Sequence, residues 1–75
     1  MNNQEEQIRR DERGRPIGED NYPISGLASV AEVALVSGLS VGLVYKMIHA
    51  GELESRRFGR SVRVPWAALR ESGLL

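Results

Sequence analysis

Between Ser29 and Val64 the apolar positions first follow a helical period and then alternate, which divides this stretch into two kinds of element. Val30, Val33, Ala34 and Val36 keep helical spacing behind Ser29-Val30-Ala31-Glu32. In a Ser-x-x-Glu arrangement each side chain satisfies a free backbone amide at a helix start. A first helix of about two turns is predicted there. It is interrupted at Ser37-Gly38-Leu39-Ser40, where the glycine suits positive φ. Ser40 is a natural N-cap for a second helix over Val41 to Ala50, and Gly51 stands just past its end. Val44, Met47 and Ile48 fall at i, i+3 and i+4, so they turn inward with Leu39. The outer face is left to Val41, Gly42, Tyr45, Lys46 and His49.

After Leu53 the period becomes two. Arg57 to Val64 reads as two short strands around a turn at Gly59 to Ser61, with Val62 and Val64 toward the core and Arg63 toward solvent. Arg56, Arg57, Arg60 and Arg63 fall within eight residues, so the hairpin is a positively charged finger. Pro65 can open a closing helix over Trp66 to Ser72 that Gly73 ends, and Trp66 and Leu69 seal the core. The expected fold is mainly α with a small β-hairpin: a winged helix-turn-helix with a two-stranded wing and a closing helix. In such a motif the second helix meets the DNA major groove.

These residues resemble the excisionase family of winged helix-turn-helix proteins, which is related to the DNA-binding domains of MerR-type regulators. The resemblance covers Leu27 to Leu69. Its matching parts are Ser29-Val30-Ala31-Glu32-Val33-Ala34, Gly38-Leu39-Ser40, Val44-Tyr45-Lys46-Met47-Ile48, Gly51-Glu52-Leu53 and Arg57-Phe58-Gly59-Arg60-Ser61-Val62-Arg63-Val64-Pro65. The resemblance implies a recombination directionality factor of phage or plasmid type. Copies would bind neighbouring sites, bend the DNA and help an integrase assemble the excisive complex. The family also includes transcription factors, so a small MerR-like regulator or repressor is the alternative. The 75 residues hold no long dimerisation helix of the MerR-type regulators, which favours the first expectation. This chain departs from the family after the capping serine, where Val41, Gly42 and Leu43 replace the usual Arg, Ser and Thr.

Charge distribution adds to the picture, because the formal net charge is zero. Met1 to Gly26 holds six acidic residues and four arginines, whereas Leu27 onward holds six basic and four acidic residues. The basic excess therefore lies on the patterned part, and an excess of only two predicts modest, salt-sensitive affinity. Residues 1–26 carry scattered Ile8, Ile17 and Ile24 among Gly14, Pro16, Gly18 and Pro23, so they are expected to form a flexible tail. Glu5 with Arg9 and Glu6 with Arg10 have helical spacing, worth only a few tenths of a kcal/mol each. The domain is expected over 27–75, near the lower size limit for an unaided core. Without cysteine there is neither a disulfide framework nor a thiolate metal site, so a cytoplasmic, DNA-associated setting in a bacterial host is the simplest expectation. No secretory signal or membrane segment is expected, since the longest uncharged run, Val33 to Tyr45, is too short to span a bilayer.

The residues expected to meet DNA are Ser40, Val41, Gly42, Tyr45, Lys46 and His49, with Arg57, Arg60, Ser61 and Arg63 of the hairpin. Val41 can touch a thymine methyl. Gly42 either lets the helix approach the backbone closely, allows tight helix packing, or is simply tolerated at about 1 kcal/mol relative to alanine. Tyr45 and Lys46 can reach a phosphate or a base edge. Arg60 at the tip suits a narrow, electronegative minor groove. His49 lacks a second ligand nearby and is read as groove-side or exposed, not as a metal ligand. Glu52 and Glu54 have no nucleophile or phosphate loop beside them and are surface charges. No catalytic residue, metal or cofactor is expected. The expected partners are double-stranded DNA, an integrase and further copies of the chain bound cooperatively on adjacent sites. A protein-interaction adaptor, with the hairpin incidental, is the competitor from another class.

Overall fold

The Ser29 capping box forms as the residue types imply. Glu32 N–H donates to Ser29 Oγ at 3.0 Å, and Ser29 N–H donates to Glu32 Oε1 at 3.2 Å. The computed structural model describes residues 8–75. Its elements run β1 (Leu27–Ser29), α1 (Val30–Ser37), α2 (Val41–His49), β2 (Arg56–Phe58), β3 (Ser61–Pro65) and α3 (Trp66–Glu71). Gly38 ends α1 with φ 76°, its N–H donating to Ala34 O at 2.9 Å. Ser40 then caps α2, accepting from Leu43 N–H at 3.1 Å. The chain bends by 112° between the two helices, within the range of a helix-turn-helix corner.

The sheet is antiparallel with strand order β1-β3-β2. The wing is thus extended by a third strand that the sequence reading did not place. Leu27-Ala28-Ser29 is too short to alternate visibly, and its partners Pro65, Val64 and Arg63 lie far along the chain. The tip is a two-residue loop, Gly59-Arg60, between the paired Phe58 and Ser61. Gly59 has φ 62° and Arg60 is not in the positive region, the pattern of a II′ turn, whose twist matches that of the strands. Ser61 therefore belongs to β3 instead of the turn.

The sheet's inner face, α1, α2 and α3 enclose the core. Trp66, Leu69, Val33, Val44 and Val64 are its largest fully buried side chains. Of the four residues expected to turn inward from α2 and its turn, Val44 is fully buried. Leu39, Met47 and Ile48 are half-buried at the margin. With one core layer, α2 is covered only along a narrow stripe. The resulting architecture is that of a winged helix-turn-helix domain.

Residues 8–26, expected as a flexible tail, make contacts with the domain. They run as a strap with bridges Arg10 to Pro16 and Ile17 to Pro23. Tyr22 stacks on Trp66 with ring centroids 5.8 Å apart, and the Arg15 guanidinium lies 5.8 Å from the Trp66 ring centre. Arg70 holds both Asp20 carboxylate oxygens, at 2.7 and 2.9 Å, and donates to Tyr22 O. Arg15 bridges Asp11 at 2.6 Å and Glu32 at 3.1 Å. The order comes from partners in α1 and α3, which the local composition of the segment cannot reveal. Glu5 and Glu6 lie outside the described residues, and with them the pairings to Arg9 and Arg10.

Candidate nucleic-acid interface

The capped, amphipathic sequence of α2 decides what it presents outward. Ser40, Val41, Gly42, Tyr45, Lys46 and His49 are all exposed; Gly42, Lys46 and His49 lie on the side of α2 away from Val44, while Ser40 and Val41 flank the buried stripe at the start of the helix. Tyr45 and His49 stand one turn apart with ring centroids 6.2 Å apart, so the last turn carries an aromatic patch beside Lys46. A Cβ built at Gly42 meets nothing within 4 Å. Close helix packing, one of the readings of this glycine, is therefore not its role.

The pleat of the hairpin sorts its side chains, because directly opposed residues share a face. Ser61 and Arg63 lie on one face and Arg57 on the other, opposite Val62, while Arg60 occupies the loop. The four expected hairpin residues are thus brought to one finger but not to one face. Arg56 and Phe58 share the face of Ser61 and Arg63 and were absent from the expected set. The spacing Arg56-x-Phe58 carried the signal, but the hairpin register was needed to read it.

Ion pairing divides the cations into two groups. Arg15 and Arg13 are engaged by Glu32, Arg15 also by Asp11, Arg70 by Asp20, and Arg56 by Glu54. Among the described residues, Lys46, Arg57, Arg60 and Arg63 form no ion pair with a carboxylate, and of the remaining cations only Arg9 and Arg10, at the start of the segment before β1, share this. The acidic excess of the N-terminal part is in this way partly neutralised away from the wing. The side-chain hydrogen bond from Arg70 holds the Asp20 carboxyl down to about 2, and the same contact raises Arg70. At Asp11 burial opposes ionisation, yet hydrogen bonds from Arg15 and Arg13 outweigh it and lower the carboxyl.

A groove between the strap and α1, lined in part by Tyr22, Leu35, Val36 and Trp66, takes no residue from α2 or the hairpin. Among the described residues no three His, Asp or Glu side chains gather as a metal site. Nor is any single helix there long and apolar enough to cross a membrane.

No curated protein and no solved structure matches the chain. A family model described as a helix-turn-helix domain matches residues 29–72, from the Ser29 cap through the end of α3. The match takes in both helices, the turn and the whole hairpin, and a domain of this kind suggests DNA binding. With more than half of its length matched, the chain belongs to the helix-turn-helix domain family.

Proposed function

We propose that the protein binds double-stranded DNA through two elements, α2 in the major groove and the β2–β3 hairpin in the adjacent minor groove. On this reading it is a DNA-bending accessory factor of the excisionase kind. Several copies on neighbouring sites set the direction of an integrase reaction, and the protein breaks no bond itself. The observation that carries it is the set Lys46, Arg57, Arg60 and Arg63, cations on two solvent-facing elements with no carboxylate pairing among the described residues. Phosphate contacts from such side chains fix register, while base edges and DNA deformability give specificity. The family also contains excisionase-like DNA-binding proteins.

Bending suits a module of this size. One copy touches little sequence, and adjacent copies share the deformation energy of a curved duplex. The test is a gel-shift titration on fragments flanking the gene, against random duplex and over a range of salt. Successive discrete complexes of anomalous mobility are expected. A single complex at a promoter without a mobility anomaly would replace this reading by a transcriptional repressor. The triple replacement of Arg57, Arg60 and Arg63 by alanine is expected to abolish most of the salt-dependent affinity. Unchanged affinity in that variant would support an adaptor instead.

A further inference from the structure

The outer face of the wing holds two features that the fold does not require. Arg56 and Arg63 stand directly opposite each other on β2 and β3, and like charges so placed destabilise a sheet. Glu54 relieves Arg56 alone among the described residues. The second feature is Phe58, the one phenylalanine of the chain. It is 57% exposed, faces Ser61 across the ladder and is not packed against the core. As a residue of an edge strand beside the turn, its position would be served equally well by a polar or charged side chain.

A large apolar ring at the last ladder pair, with Arg60 beyond it and Arg56 and Arg63 behind it, is matched to a polyanion that also offers apolar surface. A nucleic-acid duplex does so at the faces of its stacked bases. Apolar side chains brought to the minor groove can enter a base step, partly unstack it and kink the duplex toward the major groove. The minor groove of B-DNA is about 6 Å wide, and paired strands are already about 4.8 Å apart before their side chains are counted. A two-stranded tip therefore enters fully only where the groove opens, which a kink provides.

We infer that Phe58 is a wedge that unstacks one base step, with Arg63 beside it holding a flanking phosphate. The inference rests on the DNA-binding reading above and names the side chain that does the bending. Pyrimidine–purine steps unstack most easily, so the wedge site is such a step.

The experiment walks 2-aminopurine through a duplex that the full-length protein shifts, with the bend read on the same site by end-to-end energy transfer. Unstacking brightens the probe, and the wild type is expected to brighten it at one step or two adjacent ones. Phe58→Ala is expected to bind about tenfold more weakly, as removal of an inserted apolar ring implies. At saturation it should lose the brightening and most of the bend. Phe58→Leu, which keeps an apolar wedge, should retain most of both, and thermal melts of both variants should match the wild type because the ring is outside the core. Full brightening and bend in Phe58→Ala would overturn the wedge, as would a wild type that binds without brightening any step. A wild type that shifts no duplex at low salt would overturn the DNA-binding reading as well, so the two failures are distinct.

Discussion

A Cβ placed at Gly42 would meet open space, and the backbone there lies in ordinary helix, so alanine fits the folded chain without strain. Gly42→Ala should raise stability by about 0.5–1 kcal/mol, because glycine loses the most backbone freedom on folding. If α2 lies close to the DNA, the added methyl falls between helix and duplex and affinity drops. A melt together with a binding titration checks both signs, and a gain in stability with unchanged affinity would remove Gly42 from the interface. Asp20 gives a pH dependence of known sign. Its carboxyl is held at about 2 in the fold against an ordinary 3.8, through the Arg70 hydrogen bond first and the Tyr22 N–H second. A depressed carboxyl pKa contributes stability that is present above the unfolded value and lost as pH falls through the folded one. The melting temperature should therefore decline between about pH 4 and pH 2. Asp20→Asn should be less stable at neutral pH and show a shallower decline, measured by circular dichroism. Asp11, lowered in the same direction, leaves a residual slope in that variant.

Among the elements, those set by local chemistry were legible in the sequence and those set by distant partners were not. The Ser29 and Ser40 caps, the turn at Gly38 and the hairpin alternation of Val62 and Val64 all follow from residues within a few positions of one another. Strand β1 depends on β3, the strap on Trp66, Arg70 and Glu32, and the grouping of Phe58 with Arg56 and Arg63 on hairpin register. Period and capping rules contain none of these. The strap also bears on stability, since a domain this small gains from every apolar surface it covers. Tyr22 lies on the indole of Trp66, the one tryptophan, at an interplanar angle of 18°. Tyr22→Ala removes the stack and uncovers one side of a core residue. A loss of about 1–3 kcal/mol is expected from lost burial and ring pairing. Trp66 fluorescence should shift to longer wavelength as water reaches the ring. An unshifted spectrum with an unchanged melt would mean that the strap contributes nothing to the domain.

For the whole molecule, a formal charge of zero would give no net attraction to DNA if the charges were evenly spread. They are not. Arg13, Arg15 and Arg70 meet carboxylates within the strap, α1 and α3, whereas Lys46, Arg57, Arg60 and Arg63 stay without carboxylate partners among the described residues. The field that α2 and the wing present to a duplex is then set mainly by those four and screened over about 8–10 Å, so distant charges on the strap weigh little at physiological salt. If each of the four neutralises one phosphate, the logarithm of affinity should fall against the logarithm of salt with a slope of about −3 to −4 per copy. Raising salt from 50 to 200 mM would weaken a single copy roughly a hundredfold. Each replacement among Lys46, Arg57, Arg60 and Arg63 should reduce the steepness by about one. A reversal of charge at Glu19, on the strap, should change it little. Equal effects from Glu19→Lys and Arg60→Ala would mean that net charge, and not the arrangement on α2 and the wing, controls association. A slope near zero for the wild type would leave the phosphate contacts without support.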